Sequence, residues 1–141
     1  MKIGWKGKQT KEANETSALG IEFSKFLEGG DVISLVGQLA TGKTTFIKGV
    51  LAGLGYKESV TSPTFTLVNE YLTKFTIIHI DCYREENLDR WIQIGLHDYF
   101  NDENIVFIEW ADKIIDILPK DTISIKFSHL GNNNRKIELD I

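Results

Sequence analysis

Residues Gly37 to Thr45 read GQLATGKTT and match the pattern GxxxxGK[ST] through Gly37, Gly42, Lys43 and Thr44. The apolar run Val32-Ile33-Ser34-Leu35-Val36 stands directly before them, and Thr44 to Leu51 follows with the residues of a helix. This order of strand, glycine-bounded loop and helix constrains the fold more than any other feature of the chain. Glycines let the backbone turn tightly, so that successive amide N–H groups converge on an anion. Lys43 adds a positive charge beside them and Thr44 offers a hydroxyl to Mg²⁺, while the positive N-terminal end of the helix faces the same point. Gln38, Leu39, Ala40, Thr41 and Thr45 complete the loop. A chance glycine turn with a solvated lysine would not bring its own strand and helix, so the pattern reads as a site for a nucleoside triphosphate.

At 141 residues the chain is of single-domain length, enough to bury roughly two thirds of its unfolded surface. A net charge of −4 and a pI near 5.4 provide no sequence-wide basic field, so any nucleic-acid role is expected to be indirect. Cys82 is the only cysteine, which excludes a disulfide within the chain. No charged-then-apolar leader and no long apolar span is present, so the expected location is the cytoplasm, away from membranes.

Leu19, Phe23, Phe26 and Leu27 recur at helical spacing and predict a first helix over Glu12 to Leu27, ended by Gly29 and Gly30 and covering the sheet with its apolar stripe. Phe65 to Tyr71 and Phe75 to Asp81 read as two strands of a hairpin, so the sheet is not purely parallel. Asn87 to Tyr99 reads as a helix, Ile105 to Trp110 as a buried strand and Ala111 to Leu118 as a short helix. Thr122 to Phe127 and Arg135 to Ile141 read as closing strands around Gly131-Asn132-Asn133-Asn134. The expected class is α/β: a three-layer fold of the P-loop NTPase kind, with a mixed, mainly parallel central sheet and antiparallel edge strands.

Two of these strands end in a carboxylate, at Asp81 and Glu109. Ligands collect at the carboxyl ends of strands in open α/β sheets, so both acids can face a triphosphate, one holding metal-bound water and the other orienting the attacking water. Spacing alone does not say which acid does which. Thr61-Ser62-Pro63-Thr64-Phe65-Thr66 is rich in hydroxyls and stiffened by a proline. It resembles a γ-phosphate-sensing switch, with Ser62 or Thr64 reaching the metal or terminal phosphate, but it reads equally as a turn whose hydroxyls bond backbone.

A resemblance decides between these. GQLATGKTT, then SPTFTLVNEY at Ser62 to Tyr71, HIDCYR at His79 to Arg84 and IEW at Ile108 to Trp110 occur in this order and are similar to the TsaE family, formerly YjeE. IGLHDYF at Ile94 to Phe100 and LPKD at Leu118 to Asp121 extend it over nearly the whole chain. What the resemblance implies is a small ATPase needed for the threonylcarbamoyl modification of adenosine 37 in tRNAs reading codons that begin with A. It implies that the chain uses ATP and Mg²⁺, acts with TsaB and TsaD, and meets tRNA only through that complex. It makes Lys43 a phosphate ligand, Thr44 and Glu109 the Mg²⁺ ligands, and Asp81 the water-orienting residue or base. It brings Trp110 near the nucleotide, lines the adenine end with Thr16 and Arg135, and makes Ser62 and Thr64 switch-like. The family commonly reads GDLGAGKTT, whereas this chain has Gln38, Ala40 and Thr41. Ala40 lacks glycine's freedom at positive φ, so the loop holds a conformation alanine tolerates or accepts strain of order 1 kcal/mol.

Two alternatives remain open on the sequence. A small-molecule or nucleotide kinase uses the same loop, but only Arg84, Arg90 and Arg135 are present and no arginine-bearing lid insertion is visible. A nucleotide-dependent interaction subunit with little turnover is the other, supported by the switch-like block and the lack of a separate substrate domain. A GTPase is disfavoured, since neither NKxD nor DxxG follows Asp81. His79, His97 and His129 read as structural or surface residues, and Trp91 with Ile94 and Leu96 as helix packing.

Overall fold

The computed structural model describes every residue except Ile3, Leu39, residues 61–66, Glu86 and Ile141. Among the described residues seven strands form one sheet in the order β1-β7-β6-β2-β5-β4-β3. They are β1 (Lys8–Thr10), β2 (Val32–Val36), β3 (Val68–Leu72), β4 (Thr76–Asp81), β5 (Asn104–Glu109), β6 (Ile123–Gly131) and β7 (Asn134–Leu139). The central strands β6, β2, β5 and β4 are parallel, while β3 runs antiparallel to β4, β7 to β6 and β1 to β7. The mixed sheet with antiparallel edges is therefore as the sequence implies.

Strand alternation divides the apolar residues between two faces. Ile33, Leu35, Ile77, Ile105, Phe107, Ile125 and Phe127 join a cluster with Leu19, Phe23, Phe46, Ile47 and Val50, contributed by α1 (Ala13–Ser24) and α2 (Lys43–Gly53). Val32, Ile78, Ile80, Val106 and Ile108 pack instead with Trp91 of α3 (Leu88–Ile94), Leu96, Ala111 and Ile114. These are the two outer layers around the sheet.

Small residues set the contact between α1 and α2. A Cβ on Gly20 would drive into the carbonyl oxygen of Phe46, one on Gly49 into that of Ser17, and one on Gly53 into the Ser24 hydroxyl. The backbones meet directly, and the N-terminal turn of α1 is carried up beside the loop that precedes α2. That turn has no side-chain cap from Glu12. Instead Glu15 reaches back to accept the Lys11 N–H at 3.2 Å, and Thr16 is buried with its Oγ1 2.7 Å from Thr10 Oγ1 of β1.

Several boundaries differ from the sequence reading, among them β5, which is Asn104–Glu109 and stops short of Trp110. The first helix stops at Ser24, short of Leu27. The single helix expected over Asn87 to Tyr99 is two pieces, because Gly95 takes φ 88° and ends α3 before a 3₁₀ turn over Leu96–Tyr99. Ala111–Ile117 is 3₁₀ and kinked at Ile114. The closing hairpin is tighter than expected, since β6 runs on to Gly131 and pairs with Asn134 across Asn132-Asn133, with Asn132 left-handed at φ 50°. Of the expected strand Phe65 to Tyr71, the first two residues lie outside the described residues and the strand observed is Val68–Leu72.

Candidate functional site

Glu12, Ala13 and Thr16 of the α1 turn, the loop at Ala40 and Gly42, Lys43 to Thr45, Asp81, Glu109, Trp110, Asn133 and Arg135 line one cleft of about 480 Å³ at the carboxyl ends of β2, β4 and β5. That size lies in the range of small-molecule sites. Gly42 precedes α2 at φ 98°, and no side chain caps the helix. The first amides of α2 are thus free to meet an anion, and no acidic residue stands in its first turn. Gly37 admits no side chain, because a Cβ would lie 2.7 Å from the Phe127 carbonyl oxygen. Ala40 adopts φ 61°, so the loop keeps the left-handed turn and carries its strain. Thr41 bridges the loop internally, its hydroxyl donating to the Gln38 carbonyl at 2.7 Å.

Lys43 is buried, and its Nζ donates to the Gly37 carbonyl at 2.6 Å. It also lies 3.6 Å from Glu109 Oε1 and 4.9 Å from the centre of the Trp110 ring. Trp110 sits at φ 58°, directly after β5, and its ring leans on Tyr83 with centroids 5.0 Å apart. It packs against the second core cluster with one side and lines the cleft with the other.

Asp81 and Glu109 are register partners at the tips of β4 and β5, and alternation points both to the α1–α2 face. Burial pushes the Asp81 carboxyl up; the Tyr83 N–H, which Asp81 accepts at 2.9 Å, pulls the other way, and the Glu109 charge adds to the rise. Burial acts on Glu109 in the same sense but is outweighed by the His79 hydrogen bond and by the His79 and Lys43 charges, so its carboxyl falls below the ordinary range. Cys82 beside them is buried, and desolvation holds its thiol up at about 12, well away from thiolate chemistry.

Thr16 and Arg135 both reach the cleft. Arg135 donates to the carbonyls of Asn134 at 3.1 Å, Asn132 at 3.4 Å and Ala40 at 3.3 Å, so it ties the β6–β7 turn to the loop. Leu39, Ser62 and Thr64 lie outside the described residues. The sequence reading missed Glu12, Ala13 and Asn133 as wall residues, although Glu12 and Ala13 precede Thr16 by one helical turn and Asn133 lies in the turn two residues before Arg135. It also took His79 for a structural residue. His79 is 1% exposed, with Nε2 2.7 Å from Glu109 Oε2. The signal lay in strand periodicity, since His79 and Asp81 share a face.

Among the described residues no three His, Cys, Asp or Glu side chains are grouped to hold a metal by themselves. Thr44, Asp81 and Glu109 lining one anion-binding cleft instead suit Mg²⁺, which takes one or two carboxylates and completes its shell with phosphate oxygens and water.

A parallel-centred sheet, a glycine-bounded loop entering α2, and acids at two strand tips define a P-loop nucleotide-binding protein. The family described as "Threonylcarbamoyl adenosine biosynthesis protein TsaE" matches residues 10–137. The TsaE protein of tRNA threonylcarbamoyladenosine biosynthesis from Treponema pallidum is 38% identical over 91% of this chain and 95% of its own length. That of Bacillus subtilis is 38% identical over 92% of this chain and 81% of its own. The crystal structure of Bacillus subtilis YdiB superposes with a TM-score of 0.81 at 33% identity, covering 94% of this chain and 82% of that one. The chain belongs to the TsaE family. Among its described residues no helix is long and apolar enough to cross a membrane.

Proposed function

We propose that this chain hydrolyses Mg·ATP in support of tRNA N6-threonylcarbamoyladenosine formation, in the cytoplasm, acting with TsaB and TsaD and meeting tRNA only through them. The observation that carries the chemistry is the register pairing of Asp81 with Glu109 in one cleft with Lys43 at the start of α2. The free amides of α2 and the loop residues Gly37 to Thr45 hold the phosphates. Lys43 exchanges its bond to the Gly37 carbonyl for a phosphate oxygen, and its charge moves away from Glu109 as it does so. Thr44 and Glu109 would hold Mg²⁺, Glu109 because its environment keeps it ionised. Bound Mg²⁺ would neutralise charge on the phosphate oxygens.

Asp81 has the opposite environment. Its raised carboxyl is a better proton acceptor than Glu109, and it orients and deprotonates the attacking water. Thr16 lines the base end of the cleft, where Arg135 braces the loop and Trp110 covers Lys43. Ser62 and Thr64 serve as the γ-phosphate-sensitive segment. The test is Mg²⁺-dependent ATP hydrolysis by the chain alone and with a cognate TsaB–TsaD pair, with Lys43→Ala as the blank. Stimulation by the pair is the expected result. Turnover indifferent to the pair but raised by a small-molecule acceptor that becomes phosphorylated would replace this reading with a kinase.

A further inference from the structure

We infer that His79 is a positioning residue that fixes which oxygen of Glu109 is presented to the cation, and thereby sets the affinity of the nucleotide site for Mg²⁺. The inference rests on the reading of Glu109 as a cation ligand. In the parallel pair β4–β5, His79 is registered with Phe107 and Asp81 with Glu109. All of them point to one face, so His79 meets Glu109 on the diagonal, two residues along the neighbouring strand.

The two Glu109 oxygens have separate partners. Oε2 lies 2.7 Å from His79 Nε2, and Oε1 lies 3.6 Å from Lys43 Nζ. The torsion that would exchange them is broad and soft in a free glutamate. A carboxylate only accepts, so the imidazole hydrogen on this contact belongs to Nε2. A buried donor at that distance pins the carboxylate plane and leaves Oε1 turned towards the loop lysine.

The β4 neighbours of His79, Ile77, Ile78 and Ile80, are buried and apolar, and Asn69 of β3 is registered opposite it. Among the described residues His79 Nδ1 is buried with no hydrogen-bond partner, a cost that an isoleucine or leucine filling the same space would not carry. Among the described residues the hydrogen bond this ring makes is the one with Glu109. Partners of this kind, which bond a ligand and not the metal, typically change metal affinity about 10- to 100-fold.

The experiment compares His79→Gln, whose amide nitrogen reaches about as far as Nε2, with His79→Asn, whose amide stops short at the Nδ1 position. Binding of a non-hydrolysable ATP analogue is titrated against Mg²⁺ by calorimetry. His79→Asn should raise the half-saturating Mg²⁺ about tenfold or more, with analogue affinity in the absence of metal unchanged, while His79→Gln stays close to the unsubstituted protein. In a Glu109→Gln background the difference between the two should vanish, since no carboxylate remains to be oriented. Equal shifts in both variants, or no shift in His79→Asn, would overturn the positioning role. An unsubstituted protein that binds the analogue with no dependence on Mg²⁺ would instead overturn the cation reading, and this inference with it. A measurement without substitution serves if His79→Asn fails to fold: nitrogen-15 spectra of the metal-free protein should show the His79 hydrogen on Nε2, and finding it on Nδ1 alone would refute the contact.

Discussion

The tips of β4 and β5 lie side by side, both end in a carboxylate and both face the same cleft, yet their surroundings push the two acids in opposite directions. At the β4 tip Asp81 is partly buried, accepts the Tyr83 backbone N–H, and feels the negative charge of its neighbour. At the β5 tip Glu109 is more deeply buried but is flanked by His79 and Lys43. Burial alone would have raised both. Both acids feel the charges of His79 and Lys43, but Glu109 alone of the two takes side-chain hydrogen bonds from them, and that direct contact separates the pair.

The largest effect that would break this comparison is at Asp81. Asp81→Ala should cut turnover about 10²- to 10⁴-fold, the usual contribution of a general base, while Mg·ATP still binds with near-normal affinity in equilibrium titrations. Equal turnover in the variant and the parent would remove Asp81 from catalysis. Glu109→Ala should instead raise the Mg²⁺ requirement by about 100-fold, at the upper end of what even indirect ligand partners cost, with metal-free nucleotide affinity retained. If both substitutions gave the same phenotype, the division of labour between the tips would be wrong. Lys43→Ala touches both tips, and should weaken triphosphate binding about 10- to 100-fold, as expected for loss of a charge-assisted bond of about 1.5–3 kcal/mol, read by displacement of a fluorescent nucleotide.

Acid titration of stability sharpens the same contrast without nucleotide. Glu109 is depressed in the folded state, so it contributes stability that is complete above about pH 4.3, the unfolded glutamate value, and is lost as pH falls through its folded value. Asp81 is raised, so the folded state binds its proton more tightly, and stability falls as pH climbs from about 3.9 through the folded value. Urea midpoints should show Asp81→Asn gaining on the parent protein as pH rises through this window and Glu109→Gln losing ground. Parallel curves for the two variants would contradict the assignment of their environments. The smallest effect is in the loop that faces both tips. Ala40→Gly should stabilise the protein by about 0.5 kcal/mol, the left-handed penalty of about 1–2 kcal/mol being partly offset by the added chain entropy of glycine. Destabilisation by that substitution would show that Ala40 rests without strain.

The loop, β2 and α2 were legible because the pattern demands all three together, and β2 falls on Val32–Val36 as read. The acids at the tips were legible because strand period and length fixed where β4 and β5 end. β1 was not read at all: Lys8-Gln9-Thr10 is polar and short, and becomes a strand only because β7 offers it an edge. The helix expected through Gly95 failed because one glycine at positive φ outweighed an otherwise continuous apolar period. His79 was visible as a residue but not as a partner of Glu109, since the diagonal contact depends on two strands 30 positions apart in the chain being parallel and in register. The resemblance pointed to Thr16 and Arg135 as lining residues, and both lie in the cleft wall. That Thr16 answers to Thr10, and Arg135 to the Ala40 carbonyl, follows only from tertiary placement.

The seam at Gly20, Gly49 and Gly53, backbone against backbone at the first two and against the Ser24 hydroxyl at the third, has a consequence for how this protein tolerates change. None of the three lines the nucleotide cleft. A methyl group added at any of them would act as a wedge, tilting α1 away from α2 and carrying Glu12, Ala13 and Thr16 out of the cleft wall while leaving every phosphate-binding residue untouched. A survey of variants that scored only positions touching the nucleotide would pass over them. Damage there would surface as a displaced cleft wall at Glu12, Ala13 and Thr16, so the width of the cleft is written in hydrogen atoms more than a helix turn away from it.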